Sequence, residues 1–354
     1  MKKMVKQVVG IDVAQKELVV CYGRMYDDLT PELYRGKTFS NKPTGFEALV
    51  VWVKKLTEAD IPVRFVMEAT GVYHEALAYF LEERKQQISI VLPNKISNYM
   101  RTLDIKTITD KTASEAITRF GLERKLDSWK KPREIFRKVK QLTRERDQLV
   151  DERTMVKNQL HAERTEAYPN KSSLSRLKER INMLNKQEKA IKMEVATLIA
   201  EDLETQKNVD ILCSIPGIGP LTGAIVLAET NDFELIRNKR QLTSYAGLDV
   251  KEKQSGTSVK GKPRISKKGN KHLRKAMHLP ALTAIRHDPK IKTVYARLIS
   301  KHGIKMKAVV AIQRKVLELT YVLWKKKEHY DKNYKREGHN EVEQPQEAAL
   351  HELA

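Results

Sequence analysis

Apolar residues return at seven-residue intervals twice in the middle of this chain, and that spacing narrows what the middle can become. Leu142, Leu149 and Val156 form the first series. Leu177, Leu184, Ile191 and Leu198 form the second, with Leu174, Ile181 and Val195 in companion positions and Glu188 as the exception. A seam of this period marks a coiled coil. Between the two series lies AYPNKSS, where Pro169 and Asn170 give a turn and Ser172 or Ser173 can cap the second helix. The expectation over 136–205 is an antiparallel coiled-coil hairpin that packs on itself or zips to a second copy. Arg146 and Arg153 fall in the first seam and weaken it as a dimer interface.

The segment before the hairpin, 1–130, has a different grammar. Two β-rich runs, VKQVVGIDVAQ and ELVVCYGR, are followed by a third, YRGKTFS. Then come a helical pattern with Phe46, Leu49, Val50, Val53 and Leu56 on one face, the strand VRFVME, the helix VYHEALAYFLEER and the strand ISIVL. SNYMRTL and Asp110–Gly121 read as further helices. Three strands followed by alternating helix and strand predict a ribonuclease-H-like α/β domain with a parallel part covered by helices.

Acids occupy telling positions in that order. Asp12 ends the first strand, Glu68 ends VRFVME, and Asp110 opens a late helix. If the first and fourth strands are neighbours, both strand-end carboxylates emerge at one sheet edge, and a helix over that edge can bring the third. Clustered carboxylates repel unless a cation neutralises them, and hard oxygen donors select Mg²⁺ or Mn²⁺. Each acid alone is equally a strand-end or capping residue, and for Asp110 capping is the better reading. For Asp12 and Glu68 together a functional role leads, because an acid ending a buried strand is costly without a partner.

The segment 206–330 opens with LCSIPGIGPLTGAIVLAE. Pro216-Gly217-Ile218-Gly219 between helical patterns is a helix-hairpin-helix signature, in which Gly217 and Gly219 let backbone N–H groups approach a phosphate. Further on, 251–275 holds ten Lys/Arg against one acid, with hydroxyls at Ser255, Thr257, Ser258 and Ser266. No apolar periodicity organises 251–264, which reads as a basic loop. Such a loop can grip a phosphate backbone, or bring a serine oxygen to phosphorus. His272 and His278 read as ordinary surface or core residues, and Cys21 as a buried filler. KHLRKAMHLPALTAIRH and MKAVVAIQRKVLELTYVLWKKK read as helices, and 331–354 as a disordered tail. The chain has 67 Lys and Arg against 45 Asp and Glu, a net charge of +22, which favours a polyanionic partner. There is no apolar run of transmembrane length and no signal-peptide pattern, so the expectation is a cytosolic protein with no membrane partner.

Taken together, GIDVA with Asp12, MEATGVY with Glu68, TDKTASEAITRFG with Asp110, SIPGIG, and YAGLDV followed by QSGTSVKGKPRISKKGNKHLRK resemble one family. It is that of the insertion-sequence transposases with a RuvC-like DEDD domain and a C-terminal serine-bearing transposase domain, the insertion-sequence-110 type. The likeness runs from about residue 7 to 327, with the motifs in the family's order. It implies a bacterial, nucleoid-associated DNA recombinase. Such an enzyme cuts and rejoins double-stranded DNA at element ends and target, and works with a structured non-coding bridge RNA. It implies that Asp12, Glu68 and Asp110 hold Mg²⁺ and that Ser255 is the nucleophile. The family's fourth acid, three residues after Asp110, is here Ala113; either three carboxylates suffice, or Glu115 or Ser114 completes the shell through water.

Two reaction schemes follow. A metal-dependent junction nuclease would cut with no covalent intermediate. The serine scheme, which the resemblance favours, has Ser255 hold the broken end as a phosphoserine while strands exchange. In that scheme Lys260, Lys262, Arg264, Lys267, Lys268, Arg274 and Lys275 hold the DNA backbone, and the protein works as a homo-oligomer, a dimer or tetramer. A non-catalytic nucleic-acid-binding scaffold is the reading from a third class.

Overall fold

A computed structural model describes residues 2–334 except 70, 104, 106, 235, 253, 256–258 and 262; residues 254–255 and 259–260 are described by their backbone alone. The chain divides into two compact units, Met1–Lys131 and Pro132–Ala354. Among the described residues no helix is long and apolar enough to cross a membrane.

In the first unit, strands β1 (Met4–Val13), β2 (Glu17–Tyr26) and β3 (Pro31–Ser40) precede helix α1 (Pro43–Lys54), strand β4 (Val63–Glu68) and helix α2 (Glu75–Glu83). Strand β5 (Gln87–Val91) and helices α3 (Pro93–Met100) and α4 (Asp110–Glu123) complete it. They build one mixed sheet in the order β3-β2-β1-β4-β5. β1 pairs antiparallel with β2 and parallel with β4, so the expected adjacency of the first and fourth strands is present.

Strand alternation sorts the side chains between two faces. Val9, Ile11, Val13, Phe65 and Met67 pack with Phe46, Leu49, Leu77 and Leu81 of α1 and α2. Val8 and Val66 pack on the other face with Ala116, Ile117 and Leu122 of α4. Helix α4 approaches so closely that a Cβ on Gly10 would lie 2.3 Å from Thr118 Oγ1 and 2.4 Å from its backbone nitrogen. Only a residue without a side chain lets helix and sheet meet there. Lys6 ties the far end of α4 to β1, donating to the carbonyls of Leu122 at 2.8 Å and Arg124 at 2.9 Å. Cys21 is a buried free thiol, pushed up to about 11 by burial.

The second unit begins with α5 (Glu134–Thr165) and α6 (Lys171–Ala200), an antiparallel pair joined by a short turn. Val156, Leu177 and Leu184 pack together with Leu149, Leu160 and Ile181, so the heptad series of one chain meet each other. Glu188, the break in the pattern, is the acid that receives the two seam arginines. Arg146 donates to it through Nε at 3.1 Å and Nη2 at 3.0 Å, Lys192 reaches it at 2.7 Å, and Arg153 Nη1 binds its other oxygen. Asn170, not Ser172 or Ser173, caps α6: its side chain accepts from both serine N–H groups, at 3.0 and 3.2 Å.

Beyond the hairpin come α7 (Leu203–Cys213), α8 (Pro220–Thr230) and α9 (Lys239–Tyr245). Then follow the short strands β6 (Val250–Lys251), β7 (Gln254–Ser255), β8 (Val259–Lys260) and β9 (Arg264–Ile265). The unit ends with α10 (Lys271–Ala276), α11 (His278–His287), α12 (Pro289–His302) and α13 (Lys305–Lys326). Phe136, Val139, Ile191, Val195 and Ile199 of the hairpin share one core with α7, α8, α11 and α13.

Two further expectations are corrected. The basic stretch 251–264 is no plain loop, since it carries two small antiparallel ladders, β6 with β9 and β7 with β8. The helix expected over 271–287 breaks at Met277, because Pro280 has no N–H to give the carbonyl four residues back. Of the expected tail, 331–334 is described and Tyr334 accepts a bond from Lys290 at 3.0 Å; the remainder lies outside the described residues.

Candidate functional site

The first candidate is the edge where β1 and β4 end. In their parallel register Ile11 stands opposite Met67, so the next residue on each strand is an acid, Asp12 and Glu68. Both fall on the face that carries Val8 and Val66, the face covered by α4. Asp12, Glu68 and Asp110 line one cavity of about 640 Å³ with Pro93, Asn94, Ile108 and Ala113.

Asp110 is not the cap that the sequence suggested. Thr109 caps α4, with extended backbone and a side-chain oxygen that accepts from the Thr112 N–H at 3.2 Å; Thr112 Oγ1 in turn accepts from the Thr109 N–H at 2.8 Å. Asp110 is therefore the first helical residue, and its carboxylate is left for the cavity. Burial and then the nearby Asp110 charge push the Asp12 carboxyl above its ordinary range. Ala113, one turn on from Asp110, stands on the same wall. Ser114 turns inward and donates to the Lys111 carbonyl at 2.8 Å. Glu115 acts electrostatically on Cys21 of β2.

Hard carboxylate oxygens, two of them close enough to repel, are the donor chemistry of a Mg²⁺ or Mn²⁺ site. Among the described residues, however, no three His, Cys, Asp or Glu side chains stand close enough together to hold a metal ion as a group.

The second candidate is the ribbon in the other unit. Its base is clasped. Val250 pairs with Ile265 and Lys251 with Arg264, while Ser266 Oγ donates to Asp249 Oδ1 at 2.5 Å. Below that, Lys267 N–H reaches the Gly247 carbonyl at 3.1 Å and Asn270 N–H the Tyr245 carbonyl at 2.7 Å. Gly269 passes so close that a Cβ would lie 2.5 Å from the Tyr245 oxygen. Asn270 also donates to Glu229 at 2.6 Å, and Arg144 of α5 grips the same buried carboxylate with two bonds of 2.9 and 3.0 Å. Ser255 lies farther out, in the outer ladder opposite Val259. Thr257, Ser258 and Lys262 lie outside the described residues; Ser266, engaged with Asp249, belongs to the clasp.

The basic residues differ in their engagement. Arg264, Lys267 and Lys268 are exposed around the clasp. Arg274 donates to the Ala246 carbonyl at 2.7 Å, and Lys275 to Asp151 at 2.9 Å. Lys260 sits opposite Gln254 in the outer ladder. Gly217, at φ +94°, backs onto α11, where a Cβ would lie 2.5 Å from the Pro280 carbonyl. Gly219 faces open space at the start of α8. Sequence reasoning missed the Asp147–His272 contact, at 3.2 Å, and the Glu229 grip; both join residues far apart in the chain.

Comparison with known proteins adds lineage. A transposase family model for DEDD proteins of the insertion-sequence-110 group matches residues 9–169, and a model described as "Transposase IS116/IS110/IS902 family" matches 209–296. The pilin gene-inverting protein of Moraxella lacunata is 26% identical over 330 residues, 93% of this chain and 99% of its own length. The transposase for insertion sequence element IS1111A of Coxiella burnetii is 33% identical over 124 residues, 33% of each chain. Among solved structures, T. thermophilus RuvC in complex with a Holliday junction substrate is similar at 11% identity and a TM-score of 0.27, over 35% of this chain and 99% of its own.

Proposed function

Since this chain belongs to the IS110/IS116 family of transposases, we propose that it cuts and rejoins DNA through a serine nucleophile, Ser255, with an acidic site at Asp12, Glu68 and Asp110. The observation that carries the reading is the meeting of these three acids on one cavity. Asp12 is pushed above its ordinary range by burial and by the Asp110 charge, and an arrangement that costs stability in this way tends to occur at working sites.

In the proposed reaction Ser255 Oγ gives up its proton and bonds to phosphorus. The bond from phosphorus to the leaving strand's oxygen breaks, and that strand departs as a hydroxyl end that takes up a proton. In rejoining, the hydroxyl of the incoming strand attacks the phosphoserine and Ser255 leaves with its proton restored. One ester bond replaces another at each step, so no nucleotide cofactor is consumed. Asp12, Glu68 and Asp110 would hold Mg²⁺ or Mn²⁺ partly through the ion's own waters, and the ion would supply electrostatic stabilisation of charge gathering on a scissile phosphate. Arg264, Lys267, Lys268, Arg274 and Lys275, with Lys260, Lys262 and the turn at Gly217 and Gly219, hold the phosphate backbone.

A relative named for inverting a gene supports this scheme, because inversion must reseal what it breaks. Two DNA partners have four strands to break, which calls for several copies of Ser255 and hence a homo-oligomer. The net charge of +22 suits a second polyanion, a structured guide RNA.

The test is recombination by the full chain on DNA carrying its own element's ends, with and without the RNA transcribed from the element. Wild type with Mg²⁺ is expected to recombine, and Asp12→Ala, Glu68→Ala and Asp110→Ala to fail while remaining folded. Normal recombination by all three variants would remove the acidic site from the reaction.

A further inference from the structure

The second unit contains a cavity of about 670 Å³ whose apolar wall the proposed chemistry does not use. We propose that it receives a single unpaired nucleotide of the DNA strand held by the basic ribbon, its base against an apolar wall and its phosphate at a basic rim. The inference rests on the DNA-recombinase reading and deepens it.

The wall is built from Leu221 and Ile225 of α8, Ile265 of β9 and Leu279 of α11. Leu279 is 70% exposed, a large apolar side chain held out at the mouth. Lys267, Lys271, Arg274 and Lys275 also line the cavity. Lys267 and Lys271 make no side-chain bond among the described residues. Arg274 spends one N–H on the Ala246 carbonyl and keeps others to donate. The lining acid, Asp147, is already offset by Arg146 at 3.3 Å and is hydrogen-bonded to His272 at 3.2 Å. Thr222 adds a hydroxyl with no partner among the described residues.

An excess of cations around an apolar wall matches a ligand that is anionic at one end and flat and apolar at the other. A nucleotide has that form, and an aliphatic wall that packs on the face of a base reads none of its hydrogen-bonding edge. The position favours a nucleotide of the reacting strand over a free one. Ile265 belongs both to the cavity wall and to the ribbon's base, where it pairs with Val250. Ser255 follows Val250 by only five residues, so no more than about 18 Å of backbone separates it from the strand paired with this wall.

The experiment measures binding of the full chain to a fluorescent twelve-residue oligothymidylate, an abasic oligodeoxynucleotide of equal length, and oligouridylate. Wild type is expected to bind the oligothymidylate about tenfold more tightly than the abasic strand. Leu279→Ser should shrink that ratio to about threefold while leaving abasic affinity unchanged. Lys271→Gln should weaken both deoxy strands by the same factor, as loss of a phosphate contact does. Equal binding of the base-bearing and abasic strands by wild type, or an unchanged ratio in Leu279→Ser, would overturn the pocket. Tighter binding of oligouridylate would overturn its assignment to DNA. None of these readings needs cleavage, so Ser255→Ala should retain the full base preference, and a failed pocket leaves the serine chemistry standing.

Discussion

Asp12 and Glu188 are both acids drawn away from water, and they meet opposite fates. Asp12, at the end of β1, is pushed above its ordinary range by burial and by Asp110. Glu188, in the hairpin seam, is also penalised by burial, yet bonds from Lys192, Arg153 and Arg146 pull it down to about 2. The hairpin answers its buried charge with cations from the same chain, which is how a structural acid is made tolerable. The sheet edge sets acid beside acid. A fold maintains that arrangement at a cost to its own stability, and a positive partner arriving from outside would relieve it.

The largest expected effect is in the hairpin. Glu188→Ala leaves Arg146, Arg153 and Lys192 facing one another and should destabilise the second unit by about 3 kcal/mol, read as a fall in the urea midpoint. An unchanged midpoint would dissolve the contrast. Next is the fit of α4 on the sheet. Gly10→Val drives a side chain into Thr118 and should cost about 2 kcal/mol or more, loosening the helix that carries Asp110.

Asp12→Asn should act in the opposite sense, raising the melting temperature by about 2 °C at neutral pH without divalent metal while removing cleavage. The two acids also differ in sign with pH. Glu188 is depressed from 4.5, so its stabilisation is present above that value and is lost as pH falls towards about 2. Asp12 is raised from 3.8, so its penalty is absent in acid and grows as pH rises through the raised value. Melting curves of wild type and each variant at pH 3 and pH 7 separate them: the Asp12→Asn gain should vanish at pH 3. The smallest effect is expected from Ser266→Ala, which removes one bond from the ribbon's clasp at about 1 kcal/mol.

What could be read from sequence was element order and repeat. The order of strands put Asp12 and Glu68 at the ends of two strands expected to be neighbours, and period seven drew both hairpin helices. Helix α12 was legible but missed. Asp288 caps it, Pro289 opens it and Gly303 closes it, yet its single fully buried residue, Ile291, leaves little apolar stripe to notice. Pairings across the chain were not legible at all. Arg146 and Glu188 are 42 residues apart, and Arg144 and Glu229 are 85 apart, and nothing local in either partner names the other. The ribbon escaped for another reason. Its ladders are two residues long, too short for any periodicity, and its shape is set by the clasp from Gly247 to Asn270.

The central claim is that a serine of this ribbon carries the broken strand. The most direct measurement is mass spectrometry of the protein–DNA adduct trapped by denaturing the full chain during reaction with its own element's DNA ends, RNA and Mg²⁺. The account predicts a nucleotide remnant on the peptide containing Ser255, absent from Ser255→Ala, which should still bind DNA. Cleaved DNA with no adduct on any peptide would contradict it and leave a metal-dependent nuclease in its place.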